Sequence, residues 1–398
     1  MYDTYVFRSH RIQLDPTDKQ LTYFAKASGV ARLAYNWGLA EWKKQYAIGG
    51  KPSERSIRRY FNSIKDDKFP FVREVTKCAS EAALKNLGYA FQNFFNSNAK
   101  YPSFKKKGRR DAFEIDNSHL KLDGYRIQVP KLGWVRMREQ LRLSGKLISA
   151  TISRTADHWF VSVTVELPDP IPPKHEGPAI GIDFGCINFA TLSTGEVIEG
   201  PKPHKQMLSR LRRLNKSLHR KKLGSRNRNR ARRKLAKLHA HIANIRCDFL
   251  HKFTTGICRN FSVIGIEDLN VFGMTKTTRA RSVMDQAPYE MRRQLEYKSP
   301  MTGSVVKAAD RFYPSSRLCN VCGVKNTGLK LSDREWTCTE CGTVHDRDDN
   351  ASQNLKNMAV GSTVTACGVG SSGAGPKRAK LPTAKQEPNA SDSVGIAG

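Results

Sequence analysis

Four cysteines fall in two short pairs, Cys319-x-x-Cys322 and Cys338-x-x-Cys341, separated by fifteen residues. Two such pairs can place four thiolates tetrahedrally around a zinc ion. Gly323 and Gly342 directly follow the second cysteine of each pair, where a tight turn wants glycine. Four cysteine ligands leave no open coordination position, so a zinc here is expected to be structural. Two disulfides are the other reading, and they need an oxidising compartment. Within the loop, Trp336 and Lys330 either touch nucleic acid or, for the tryptophan, fill the core of the insert. Seven residues past Cys341 comes Asp348, inside Asp346-Arg347-Asp348-Asp349-Asn350.

Two more acids stand in apolar surroundings. Ala179-Ile180-Gly181-Ile182-Asp183-Phe184-Gly185 reads as a buried strand carrying one carboxylate, and Val263-Ile264-Gly265-Ile266-Glu267 as another. A lone acid in such a run is costly without a metal or a partner. Two-metal phosphodiester hydrolysis needs carboxylates that converge on magnesium ions about 4 Å apart. Hard cations prefer oxygen ligands, so Asp183, Glu267 and Asp348 are the candidate catalytic residues and magnesium ligands. Gly181 and Gly185 are expected to leave room for backbone and phosphate, and Asp348 to lie just before the last helix. Taken singly, any of these acids is explained by a cap or an ion pair. Asp346 and Asp349 are read that way, with Asp349 as the N-cap. Asp268 should face away from Glu267.

The 398 residues carry 68 Lys+Arg against 36 Asp+Glu, a formal charge of +32. That excess on a globular composition points to a polyanionic partner. It concentrates between Arg210 and Lys237, where 14 of 28 residues are basic and none is acidic. Arg210, Arg212, Arg213, Lys216, Arg220, Lys221 and Lys222 lie on the first stretch. Arg226, Arg228, Arg230, Arg232, Arg233, Lys234 and Lys237 lie on the second. Leucines at helical spacing run through both, and Gly224-Ser225 separates them, so a helical hairpin is expected. A solvated helix face mixes signs, whereas this one repels itself without phosphates. It would bind nucleic acid in a salt-dependent way without reading its sequence.

The elements that must hold these residues are visible as patterns. Alternation over residues 4–14 predicts a strand, and Asp15-Pro16-Thr17 starts a helix. Helical spacing then continues to about residue 98, with Ser80 opening one helix. Strand signals return from 111, best from Leu147 to Leu167 around a turn at Ala156-Asp157. Residues 1–14 and 101–172 are thus expected to form one β-barrel-like domain, with a helical domain at 15–100 inserted. Asn188–Ser193 and Val197-Ile198 predict a hairpin, and residues 203–259 predict helices. A last helix is expected from Asn350 to about Met358, and the Gly/Ser/Ala-rich 361–398 is expected to be disordered. No apolar run is long enough for a membrane span and no signal peptide is read at Met1. Nine cysteines, four of them in a metal spacing, argue for a reducing, cytoplasmic compartment. Cys78, Cys186, Cys247 and Cys258 read as buried small hydrophobes.

At these motifs the chain closely resembles the TnpB family, RNA-guided nucleases of prokaryotic insertion sequences related to type V CRISPR effectors. The matching segments are Gly181–Gly185, Gly265–Leu269, Arg292–Lys298, Tyr313–Ser316 and Asp346–Ala351. The resemblance implies an α/β multidomain chain. A RuvC-like RNase H fold (176–312 and 346–360) would be interrupted by a zinc finger (313–345). A β-barrel, oligonucleotide-binding-like wedge domain and a helical recognition domain would precede it. It implies a guide RNA from the element's end, a double-stranded DNA target, and magnesium-dependent cleavage beside a short adjacent motif. Asp183, Glu267 and Asp348 match the family's catalytic acids. A monomer bound to RNA, associated with the prokaryotic nucleoid, is expected. The alternatives are a nuclease-inactive RNA-guided repressor and a transposition accessory protein. One departure from the pattern is Ser299-Pro300-Met301, where Pro300 should end or kink its helix.

Overall fold

A computed structural model describes residues 5–168, 175–185, 187–278, 280–330 and 332–367. The first half contains β1 (Tyr5–Asp15), α1 (Asp18–Ala47), α2 (Glu54–Lys68), α3 (Cys78–Phe95) and β2 (Ala112–Asp116). It continues with β3 (Lys121–Asp123), β4 (Arg126–Val129), β5 (Gly133–Met137), β6 (Lys146–Thr155) and β7 (His158–Pro168). Thr17 caps α1 in a capping box with Gln20. The strands form one sheet in the order β2-β6-β7-β1-β5-β4-β3. Its first nine register pairs with β7 run from Tyr5↔Pro168 to Gln13↔Phe160, and Leu14 and Asp15 then pair with β5.

By hydrogen bonding this sheet is open, with β2 and β3 as its edges, where a barrel was expected. Helix α1 packs on one face of it. Phe24 of α1 packs its ring 5.1 Å from Trp159 and 5.9 Å from Phe113. Helices and sheet share one core, in which Phe24, Ile115, Ile152 and Val161 are fully buried. The inserted helices and the strands around them thus pack on a common cluster of buried residues.

The second half contains β8 (Ala179–Phe184), β9 (Ala190–Leu192), β10 (Val197–Ile198), α4 (Pro203–Gln206), α5 (Leu208–His219) and α6 (Arg226–Asn260). It continues with β11 (Val263–Ile266), α7 (Val271–Met274), α8 (Ala280–Gln286), α9 (Pro288–Thr302) and β12 (Val305–Ala308). The sheet order is β10-β9-β8-β11-β12, with β8, β11 and β12 parallel and the β8-β9-β10 pairs antiparallel. The cysteine segment adds a small ribbon, β13 (Glu335–Thr337) with β14 (Val344–Asp346), and α10 (Arg347–Cys367) follows.

Helix α10 packs directly on β8 and β11. Gly181 and Gly265 are register partners in those strands. A Cβ on Gly181 would lie 1.9 Å from the Ser352 carbonyl oxygen, and one on Gly265 would lie 2.2 Å from that of Leu355. The space expected beside Gly181 for phosphate is therefore filled by helix backbone.

Three further expectations change. Helix α10 starts three residues before Asn350, because the Asp346 carboxylate accepts the N–H groups of Asp348 and Asp349, each at 2.9 Å. Asp346, not Asp349, is the cap, and Asp348 lies in the first turn rather than ahead of it. The helix also runs through 361–367, which composition had marked as disordered, while 368–398 and Cys186 lie outside the described residues. Cys78 and Cys258 are buried, but Cys247 is exposed on α6, off its apolar stripe. Pro300 is accommodated in the last turn of α9, which ends two residues later at Thr302, with Gly303 as its C-cap at φ 75°.

Among the described residues no helix is long and apolar enough to cross a membrane. Gly265→Ala is expected to cost about 1–3 kcal/mol or more, since backbone has nowhere to go when a core is overfilled. Urea unfolding of the variant measures it; an unchanged midpoint would show that α10 can lift without loss.

Candidate active site

Asp183 is the fifth residue of β8, and Glu267 directly follows β11. Ile182 and Ile266 are paired in register, so the two acids leave adjacent parallel strands side by side. They emerge at the carboxyl ends of those strands, where open α/β sheets bind ligands. Asp348 is delivered by the first turn of α10, which crosses the same strands.

The three charges feel one another. Burial holds the Asp183 carboxyl well above the usual carboxylate range, and the negative charges of Glu267 and Asp348 push it further. Burial also raises Glu267, against the Ser315 hydroxyl and the Arg347 guanidinium, which lower it. Such a set is stable as three carboxylates only with a cation among them. Its donors are all hard oxygens, which fits magnesium.

Side chains to which the sequence reading assigned no role hold these acids. The buried Ser315 hydroxyl donates to Glu267 Oε1. Arg334, from the cysteine segment, donates to Asp348 Oδ2 at 3.0 Å. Asp268 turns away, as expected, to Arg292 and Arg311. A cleft of about 410 Å³ opens beside Glu267, between Phe184, Tyr289 and Arg311.

The four cysteine sulfurs lie within 4.8 Å of one another. Cys319 and Cys341 are 3.6 Å apart, and Cys322 and Cys338 are 3.5 Å apart. A tetrahedron with zinc–sulfur bonds of about 2.3 Å has edges of about 3.8 Å, so the sulfurs fit the ion. Gly323 and Gly342 take φ of 76° and 71°, as the knuckles require. His345 Nε2 stands 3.1 Å from Cys319 Sγ, placed to donate a hydrogen bond to a thiolate. Trp336 is 7% exposed and packs 4.7 Å from the His345 ring, so it belongs to the core of the segment.

Two buried asparagines of α10 fasten this segment to the helix. Asn350 donates to the Leu318 carbonyl at 2.7 Å and accepts the Asn320 N–H at 3.0 Å. Asn354 donates to the carbonyls of Ser315 and Leu318. Asn350 belongs to the motif Asp346–Ala351, whereas Asn354 is marked out only by its partners.

The basic hairpin forms as α5 and α6 around Leu211, Leu238 and Ile242. Of its fourteen cations, two have structural work. Arg228 donates to the Leu218 and Lys221 carbonyls, closing α5, and Lys237 pairs with Asp157 at 3.2 Å. For the other twelve no ion pair occurs among the described residues, and all but Lys221 are exposed. A second basic groove, of about 810 Å³, runs past Lys105, Lys106, Arg109 and Arg110 in the first half.

Comparison with known proteins places this geometry. A family model described as "Probable transposase" matches residues 162–278, and one described as "Cas12f1-like, TNB domain" matches 289–355. A third, "Helix-turn-helix domain", matches 1–51, although the described part of that stretch is β1 followed by the single helix α1. A Streptomyces pristinaespiralis protein named "Putative RNA-guided DNA endonuclease" is 37% identical, covering 92% of each chain. The Escherichia coli K12 protein "Putative RNA-guided DNA endonuclease InsQ" is 32% identical, over 91% of this chain and 94% of that one. A structure titled "Cryo-EM structure of the Cas12f1-sgRNA-target DNA complex" aligns with TM-score 0.55 and 13% identity. It covers 89% of this chain and 99% of that one, a likeness of fold.

Both raised acids bind protons more tightly folded than unfolded. Without divalent metal, the stability they permit is present at low pH and lost as pH rises from the ordinary carboxylate range through the raised values. Asp183→Asn is therefore expected to melt higher than the wild type at pH 8 in chelator, and to gain less from magnesium. A lower melting temperature in calorimetry would contradict the mutual repulsion. Ser315→Ala is expected to weaken magnesium affinity at the acids by about 10–100-fold, the usual cost of losing a group that orients a ligand. The shift of melting temperature on magnesium titration measures it.

Proposed function

The chain belongs to the TnpB family, and from that membership we propose that it is an RNA-guided, magnesium-dependent endonuclease cutting DNA beside a short adjacent motif. The observation that carries this reading is the meeting of Asp183, Glu267 and Asp348 from β8, β11 and α10. The five-strand order, an antiparallel hairpin beside three parallel strands, supports a RuvC-like RNase H fold for 176–312 and 346–360. Residues 313–345 are its zinc-finger insert. Residues 1–14 and 101–172 act as a wedge domain and residues 15–100 as a helical recognition domain.

Magnesium bound by the three carboxylates would activate water and neutralise charge on the phosphodiester. The chain's own part is to present those oxygens. Ser315 fixes the rotamer of Glu267, and α10 sets the position of Asp348. The proton held by the raised acids must leave before a cation enters. Cleavage is therefore expected to fall at low pH, and more magnesium should move that fall to lower pH. Rate profiles at two magnesium concentrations test this competition.

The twelve unpaired cations of the hairpin hold phosphates of the guide RNA or the target. Arg230→Gln is expected to shallow the salt dependence of RNA binding, by about 0.7–0.9 per lost phosphate contact. Arg228→Gln should instead loosen the hairpin and leave the slope unchanged.

The deciding experiment uses protein purified with its copurifying RNA, sequenced to define the guide. Double-stranded DNA carrying the matching target should be cut in magnesium, with no cutting by Asp183→Ala, which still binds the target. Guide-dependent occupancy without cleavage by the wild type would favour the repressor. Cutting by Asp183→Ala would remove the site assignment.

A further inference from the structure

A second group of metal-ligand atoms lies where the inserted helices meet the seven-stranded sheet. Cys78 is the first residue of α3, Asp116 the last of β2, and His119 ends the 3-10 turn Asn117–His119 that follows. One sulfur, one carboxylate oxygen and one ring nitrogen from these residues lie within 4.8 Å of one another. Asp116 is central. Its Oδ2 stands 3.6 Å from Cys78 Sγ and its Oδ1 stands 2.6 Å from His119 Nδ1. The Ser118 hydroxyl lies 2.7 Å from both Asp116 Oδ1 and His119 Nδ1.

The donor types narrow the ligand. Thiolate, imidazole and carboxylate together suit zinc, whereas magnesium and calcium take oxygen alone. Asp116 and His119 sit three residues apart, a short ligand pair, and Cys78 closes the set from 38 positions away. Cys78 is 2% exposed, and its thiol is a poor hydrogen-bond donor, so a proton alone serves this contact weakly. Zinc would displace the thiol proton and take His119 through Nδ1, with the ring hydrogen on Nε2.

We propose that Cys78, Asp116 and His119 bind a second zinc ion, with the Ser118 hydroxyl or a water in the fourth position. The ion ties the start of α3 to the end of β2. It thus fastens the inserted helices to the sheet edge that they cover. This site does not depend on the nuclease reading, since none of its residues belongs to the acidic cluster.

Elemental analysis of the full chain, purified from zinc-supplemented culture and dialysed against metal-free buffer, tests the proposal. The wild type is expected to carry two zinc ions per chain. Cys78→Ser and His119→Ala should each carry one, and His119 is exposed enough that its variant keeps the fold. Cobalt-substituted wild type should lose part of its thiolate charge-transfer absorption on Cys78→Ser. One zinc in the wild type, or two retained in both variants, overturns the site and leaves a hydrogen-bonded cluster.

Discussion

Two absent side chains set the distance between α10 and its sheet. Gly181 and Gly265 stand side by side in β8 and β11, and the helix backbone occupies the volume that any larger residue would fill. Everything at the acidic cluster follows from that approach. Asp183 and Glu267 come from the strands beneath, and Asp348 comes from the helix above. A helix seated at an ordinary side-chain distance would hold its first turn several ångströms higher, and the third acid with it.

The same seating explains why the cysteine segment sits where it does in the chain. It occupies the connection just before α10, so its shape decides how the chain enters that helix. Asn350 and Asn354 tie it to the helix, Asp346 caps the first turn, and Arg334 reaches back to Asp348. The zinc fit concerns architecture, with its four thiolates filling the coordination sphere, while the oxygen cluster keeps its electrostatic repulsion in reserve. That repulsion is a cost that a cation among the three carboxylates would turn into affinity.

Much of this was legible in advance because the chemistry was local. Paired cysteines, single acids in apolar strands and a sign-biased helical hairpin each announce themselves within a few residues. What was hidden depended on partners distant in sequence. Ser315 looks ordinary until Glu267 lies beside it, and His345 until Cys319 does. Gly181 was read as room for phosphate because no pattern names the helix that takes the room. The open sheet reads as a barrel in sequence because alternation reports the faces of strands and not which edge strands pair. The start of α10 was misplaced by three residues because two aspartates competed for the cap, and only geometry decides between them.

Helix α6 is unbroken for 35 residues. Its early turns carry the exposed cations, while Phe249 and Phe253 lock its later turns against Phe189, beside the strand of Asp183. At 1.5 Å per residue, Arg230 stands about 35 Å along the axis from Phe253. Nucleic acid strands advance about 3.4 Å per nucleotide, so that span is roughly ten steps. Helix α6 therefore holds its exposed cations at a fixed span from the core beside the strand of Asp183.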